Sequence, residues 1–493
     1  MYVLAAAVVV ATCILYAVRY LFFPLPETCN IPTIPFWVGM LPLFKDVDQQ
    51  DVFRSHIDKP LRTHGAVKIF FASRWNVLIH RPEYLAEVFR QTDLYEKSGN
   101  QKKIPHTLLA NFLGDNIISS HGENWKKYQK IIKPGLQARL NVEKLRENAI
   151  VLGEMLRNGA VGGNAVMVPA NIQRYTTCNF AEIFFGTGYE TLYSRDTPLH
   201  RLQLMLRKEL FKPLFMTFPL LDRVAFLGRR HAQQVATDFT DHLVSGLENR
   251  SDSKVEAQPM LARDLLEAKC AGEFTEKQFR DNVTVLFVAG QENPQLALVS
   301  VMYLLARHPK VQEELFDELA AYREDEMTEN TMQTMTQLTA IIYETLRLFP
   351  PIGQLINRRV ANSVHLGGDI LIKEGTYVGY NCYSTNRDPV AWGPDPDVFR
   401  PSRWGTSAAS VRKEYRRRKA RAEFISFHGG KRACLGEQYA VLQIKVTLCT
   451  LVRRMRWKLD PTWKEKMTPA GPLWPKNLRL IFEERSSYST DNS

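Results

Sequence analysis

Little in this chain is arranged for covalent cross-linking or repetition. Seven cysteines, at positions 13, 29, 178, 270, 382, 434 and 449, are odd in number and scattered. That spacing excludes a disulfide-stapled scaffold and indicates reduced thiols in a cytosol-facing protein. No internal repeat, low-complexity tract or second-domain linker divides the 493 residues, and 45% of them are hydrophobic, enough for one large core. Acidic residues are in deficit, 52 against 64 Lys and Arg, which leaves a net charge of +12. No nucleic-acid motif accompanies that excess, so it points to a membrane surface or an acidic protein partner.

Uncharged length occurs in one place. Met1 to Val18 carries no charged side chain, and Arg19 and Tyr20-Leu21-Phe22-Phe23 follow. Such a run with aromatic residues at its boundary is long enough to span a bilayer. Residues 1–23 are therefore expected to form an N-terminal transmembrane anchor. A cleaved signal peptide is the alternative, but no basic stretch precedes the run and no small-x-small site closes it. Pro24, Pro26, Pro32, Pro35 and Pro42 would stiffen a linker over 24–42. Residues 43–486 then form a single domain, and 487–493 a flexible tail.

Within the domain, Ala66 to Phe71 and Asn76 to His80 read as short strands joined by a turn at Ser73-Arg74-Trp75. Pro82 to Gln91 reads as a helix with proline in its first turn. Residues 199–245 read as helices broken by the apolar segment Phe211–Leu221, which fits either a membrane contact or core packing. Thr275 to Leu305 reads as one long helix, opened by a Thr275/Gln278 capping box. Its apolar middle carries an unusual cluster, Ala289-Gly290-Gln291-Glu292-Asn293-Pro294. Pro294 lacks an N–H and should free a carbonyl one turn earlier, near Gly290. Thr339 to Phe349 is an apolar helix with Glu344 and Arg347 on one face. Val411 to Ala422 is a basic run, read either as a docking surface or as a solvated helix.

Near the C-terminus, Phe427-His428-Gly429-Gly430-Lys431-Arg432-Ala433-Cys434-Leu435-Gly436 places one cysteine in a glycine-rich turn. Ala440, Ile444, Leu448 and Leu451 then mark one face of a helix. Cys434 would sit before that helix's N-terminus, where free N–H groups and the dipole favour a thiolate. His428, placed before the turn, is the weaker ligand candidate. The segment resembles the heme-binding signature F-x-x-G-x-R-x-C-x-G of the cytochrome P450 family, matching every fixed position. The cluster at 289–294 resembles that family's A-G-x-[DE]-T-[TS], with Asn293 in place of threonine. Glu344-Thr345-Leu346-Arg347 and Phe399-Arg400-Pro401-Ser402-Arg403-Trp404 resemble its E-x-x-R and F-x-P-x-R-W motifs.

The resemblance implies a mainly α fold with a small β region, and heme b held between the long helix and the Cys434 loop. It implies Cys434 as axial ligand to the heme iron, Phe427, Gly430, Arg432 and Gly436 around the heme, and Trp125 on a propionate. In W-x-x-x-R the family's arginine is replaced here by Gln129, so Lys130 or Lys126 is expected to supply the charge. Arg358, or else Arg359, is expected on the other propionate. Glu344, Arg347 and Arg403 would form a buried triad. Ala289 and Gly290 would make room for dioxygen beside Asn293, with Glu292 relaying protons. The pocket lining is expected from residues 96–113, Phe287, Ile352 to Leu355 and Thr468 to Leu473.

No flavin- or nicotinamide-binding stretch is present, so electrons must come from a separate NADPH-dependent cytochrome P450 reductase, with cytochrome b5 a further candidate. The microsomal members of the family imply an anchor in the endoplasmic reticulum membrane and a cytosolic catalytic domain. A monooxygenase acting on a small molecule of fungal secondary metabolism is expected. The A-G-x-E-N pattern is similar to fungal dityrosine-type members, which keeps phenol coupling or desaturation without oxygen insertion as a rival. A membrane heme sensor is the non-enzymatic alternative.

Overall fold

The computed structural model describes residues 2–22, 30–224, 227–249, 258–469 and 471–485. Residues 24–29 of the expected linker and the expected tail over 487–493 lie outside the described residues. Helix α1 (Tyr2–Phe22) follows the apolar run, and its side chains from Ala5 to Arg19 are exposed. Among the described residues no helix is long and apolar enough to cross a membrane. The side chains at 3, 4 and 20–22 of α1 are not among those described.

Strands β1 (Ala66–Phe71) and β2 (Arg74–Ile79) form an antiparallel hairpin. The turn is Ala72-Ser73, both at φ near +50°, tighter than the three-residue turn expected over 73–75. Positive φ at both central residues twists with the strands. The tip is pinned because Ser73 donates through N–H and hydroxyl to the Thr217 carbonyl, each at 3.0 Å. Helix α2 (Pro82–Arg90) follows, then β3 (Tyr95–Lys97). Four helices frame the next stretch, α3 (Gly122–Leu136), α4 (Val168–Phe180), α5 (Pro198–Leu210) and α6 (Glu276–Arg307). Helix α7 (Thr336–Leu348) leads into β4 (Gln354–Val360) and β5 (Tyr377–Asn381), and α8 (Ala408–Ala420) and α9 (Glu437–Arg454) complete the helical body. The five-stranded sheet has the order β1-β2-β5-β4-β3.

Helix α6 runs through the core, and the Thr275/Gln278 capping box opens it as expected. Pro294 lies inside it without ending it, among the buried residues of the helix. Gly290 decides one of those contacts: a Cβ there would lie 2.1 Å from the Phe180 ring of α4. The glycine serves close approach of two helices.

Beneath the helices, Glu344 and Arg347 are both fully buried. Arg347 donates from Nε to Glu344 Oε2 at 2.8 Å and from Nη2 to Oε1 at 2.9 Å. Arg403 Nε adds a bond to Oε1 at 2.7 Å, the Trp404 indole one to Oε2 at 3.0 Å, and the Arg400 backbone N–H one to Oε1 at 2.9 Å. The spare Arg347 donors reach the carbonyls of Asn386, Pro396 and Val398. One carboxylate thus ties α7 to the coil that leads into α8 and the cysteine loop. Burial alone would raise its pKa, but the hydrogen bonds and charges of Arg347 and Arg403 hold it below the usual carboxylate range.

A group so lowered stabilises the fold fully above the ordinary carboxylate pKa, and that contribution is lost as pH falls through the lowered folded value. Arg347→Ala leaves a buried charge without its partner and should cost ~3–5 kcal/mol. The expected outcome is protein that does not retain heme, read from the absorbance ratio of heme to protein. A fully loaded variant of wild-type melting temperature would refute the account.

Candidate active site

The cysteine loop is built from two glycines with different duties. Gly430 has φ +63°, and a Cβ would lie 2.2 Å from the Phe89 carbonyl oxygen of α2. It therefore makes the tight turn and packs the loop on α2, off the cavity wall. Gly436 does line the cavity, and a Cβ there would meet no protein atom. The Cys434 N–H donates to the Phe427 carbonyl at 3.0 Å, which closes the loop over the Phe427 ring, itself part of the wall. The Cys434 thiol is reachable from the cavity while protein surrounds it elsewhere. Burial raises its pKa, and backbone N–H groups of Gly436 and Glu437 oppose that rise. A coordinated metal ion deprotonates such a thiol outright.

His428 also borders the cavity, at φ +60°. Its Nδ1 meets the Tyr380 hydroxyl at 3.0 Å, and burial beside Lys97 and Arg358 pushes its pKa down to about 3. It is a neutral wall residue tied to β5.

The cavity holds about 260 Å³ and lies between α6, with Ala289 and Gly290 on its wall, and the loop that carries Cys434. Lys97, Lys431 and Arg432 line it, and no carboxylate does among the described residues. Lys97 and Arg358 are cross-strand partners on β3 and β4, both buried. Arg432 reaches the carbonyls of Ile117, Ile118 and Ser120 at 2.9–3.3 Å and stacks 4.5 Å above the Trp125 ring. Burial lowers the pKa values of Lys97, Arg358 and Arg432; repulsion from Arg358 and Arg432 adds to the drop at Lys97, which falls well below the usual lysine value, and repulsion from Arg358 adds to it at Arg432, which falls to about 9. The Arg358 Nε has no hydrogen-bond partner. Buried like charges without a counter-charge are unstable; a ligand carrying two carboxylates and an iron centre would satisfy both the cations and the thiol. The residues present thus fit heme.

Helix periodicity sorts the remaining expectations. On α3, Trp125 and Gln129 share a face and line the cavity. Lys130 is one residue further round the helix, exposed, and does not reach it, while Lys126 pairs with Glu123. The lysines on the cavity wall are Lys97 and Lys431. On α6, Ala289, Gly290, Asn293, Pro294 and Ala297 form the wall, spaced at i, i+1, i+4, i+5 and i+8, whereas Glu292 is not part of it. Burial raises the Glu292 pKa and the nearby Arg207 of α5 opposes the rise. The Asn293 amide donates to the Ala289 carbonyl at 3.2 Å. Ile352 and Leu355 line the cavity as expected; from 96–113 only Lys97 does, and Phe287 and the 468–473 segment do not. Phe287 packs instead on Phe185 and Phe239.

Lys97→Met removes a buried amine that no acid neutralises. The expected outcome is an apoprotein at least as heat-stable as wild type, with heme affinity about tenfold weaker, equivalent to about 1.4 kcal/mol. Heme titration with a parallel melting curve checks this; unchanged affinity would contradict the propionate assignment.

The sequence profile of the Cytochrome P450 family matches residues 31–482. Cytochrome P450-DIT2 of Saccharomyces cerevisiae is 37% identical over 465 residues, covering 94% of each chain. Cytochrome P450 monooxygenase xanG of Aspergillus fumigatus is 36% identical over 486 residues, 96% of this chain and 89% of that one. The crystal structure of the cytochrome P450DA heme domain superposes with a TM-score of 0.75 at 19% identity, over 92% of this chain and 98% of the other, a likeness of fold. Cysteine loop, cationic cavity and profile agree: the chain belongs to the cytochrome P450 family, a heme-thiolate oxidoreductase of the monooxygenase type with heme b as its cofactor.

Proposed function

We propose that this chain oxidises a small organic molecule of fungal secondary metabolism, with electrons from a separate NADPH-dependent reductase. The observation that carries this reading is the asymmetric cavity, cationic around Lys97, Lys431 and Arg432 and apolar under α6, where Phe180, Phe184, Leu286, Ile352 and Leu355 line it. Heme bound through Cys434 would supply dioxygen activation, the thiolate pushing electron density toward the opposite face. Lys97, Arg358 and Arg432, with Trp125 under Arg432, would hold its propionates. The apolar wall would orient the substrate and exclude water. Pro294 cannot donate to the Gly290 carbonyl, which leaves an acceptor for a water molecule beside Asn293. Glu292, held behind the wall with a raised pKa, would pass protons forward through that water.

A second reading, phenol coupling without oxygen insertion, is favoured by Asn293. Its amide is committed to the Ala289 carbonyl and offers no hydroxyl to a proton relay. Product formed under isotopic dioxygen separates the two: incorporated label supports insertion, and a coupled, unlabelled product supports the second.

Helix α8 supports the partner assignment. Arg417 and Arg418 are paired with Glu414, Arg418 also with Glu423, and Lys419 with Glu437. Arg412, Lys413 and Arg416 are exposed, a face complementary to an acidic reductase. Membrane association through an anchor over 1–23 in the endoplasmic reticulum is part of the same proposal. An exposed apolar surface favours it, with Phe44 at 75%, Leu220 at 55% and Leu214 at 47% exposure. Within the apolar 211–221 segment Phe211, Leu214 and Leu220 are exposed, whereas Pro219 is buried and Met216 packs on the core.

Glu292→Gln should lower turnover about 10²-fold, the lower range of general acid–base effects, with heme content and substrate-binding spectra unchanged. Undiminished turnover would remove Glu292 from the relay. Lys413→Glu with Arg416→Glu should slow reduction by the reductase about tenfold at low salt and less at high salt, and reduction by dithionite should be unaffected. A salt-independent defect would contradict electrostatic docking.

A further inference from the structure

A second cavity, of about 530 Å³, lies where a π turn (Ala181–Phe185) follows α4. Phe184 lines both this cavity and the one that holds Cys434. Between the two, α4 and α9 face each other, and the helix Val142–Gly159 packs on both. The rungs between α4 and α9 are fixed at each end. The Tyr175 and Thr447 hydroxyls meet at 2.8 Å, and the Phe184 and Tyr439 rings meet edge to face at 4.9 Å. The two helices therefore run antiparallel here, and Asn179 and Gln443 share the middle rung. The π turn supplies the one extra residue that brings Phe184 opposite Tyr439.

Protein does not close that rung. Both ends of the Gln443 amide, Asn179 Nδ2, Asn148 Oδ1 and the Tyr439 hydroxyl are buried with no hydrogen-bond partner among the described residues. None of these four residues is more than 2% exposed. Asn148 Nδ2 donates to Glu182 Oε2 at 2.6 Å and to Asn179 Oδ1 at 2.9 Å, and the carboxylate decides which end of that amide faces it. The seam thus reaches from Glu182, on the wall of the second cavity, to Tyr439, on the wall of the first. Buried polar atoms left over by the protein are answered by bound water. The unpartnered set mixes donors and acceptors, which suits water and neither a cation nor an anion.

We propose that this seam holds a chain of bound water and serves as a solvent conduit between the second cavity and the heme cavity. A monooxygenase converts one atom of dioxygen to water at each turnover, and that water has to leave while the organic molecule occupies the apolar side of the cavity. The seam provides a way out along α9, away from the α6 wall. Its outer end is polar, with Glu182 and Lys144 on the cavity wall and 3.7 Å between their charged groups. Its middle carries amides and hydroxyls alone. At its inner end the Tyr439 ring packs against Phe184 and Phe180, so the last step is made past one hydroxyl. Such a lining passes water and disfavours an apolar molecule.

Two measurements on heme-loaded, substrate-free protein test this. The first is a crystal structure of wild type at a resolution that shows water. Ordered water between Asn179 and Gln443 and on the Tyr439 hydroxyl is expected; a dry seam, its side chains bonded to one another, would overturn the proposal. The second is the relaxation rate of bulk-water protons, which paramagnetic ferric heme accelerates by an amount set by how fast water in its cavity exchanges with bulk. Gln443→Leu and Asn148→Leu, apolar replacements of similar size, should each at least halve that acceleration, with the carbon-monoxide spectrum at its wild-type position. Asn148 lies on neither cavity wall, so Asn148→Leu carries the test should Gln443→Leu load heme poorly. An acceleration at the wild-type level in either heme-loaded variant would make the water structural only and overturn the conduit. The crystal structure decides hydration whatever the variants do.

Discussion

Buried Lys97 and Arg358 and half-buried Arg432, clustered at one cavity whose wall carries no acidic side chain among the described residues, set the terms for this molecule. Lys97, Arg358 and Arg432 each pay in desolvation, Lys97 also in repulsion from the two arginines and Arg432 in repulsion from Arg358. The protein tolerates the arrangement because separate elements impose it: β3 and β4 by strand register, and the cysteine loop by its bonds to the 117–120 carbonyls. A group bringing two carboxylates and a metal for Cys434 turns that cost into binding energy. The cavity is a site preorganised for a dianionic macrocycle, and the family assignment says which one.

The rest of the structure holds that geometry. Glu344 fastens the coil before the cysteine loop to α7, and Gly430 lets the loop lie against α2. Helix α6 provides the opposite wall, brought close to α4 because Gly290 has no side chain. Charge is divided by location. Inside, cations converge on the cofactor site; outside, α8 presents Arg412, Lys413 and Arg416 to solvent.

Where the chemistry is encoded in short, contiguous motifs, the sequence was sufficient. Cys434, Phe427, Arg432 and Gly436 come together as expected, and Glu344, Arg347 and Arg403 form their triad. The long helix with its capping box was visible in a local pattern that needs no tertiary knowledge. Lys97 was not visible, because its role comes from pairing with Arg358 across the sheet, 261 positions on, and nothing local marks it. The position of Lys130 and of Glu292 off the cavity wall has a different origin. Both sit on the right helix, and 100° per residue turns them off the wall that their neighbours Gln129 and Asn293 form. Helical phase, applied once one wall residue is fixed, would have separated them. Gly430 illustrates a third limit: the sequence shows that a glycine is needed, and only the packing of Phe89 shows for what.

The most direct test is the spectrum of the carbon-monoxide complex of the reduced, heme-loaded protein, recorded for wild type and for Cys434→His. The account predicts the red-shifted Soret band of thiolate ligation in wild type and an imidazole-type band in the variant. An imidazole-type band in wild type, or a thiolate-type band surviving the substitution, would contradict it.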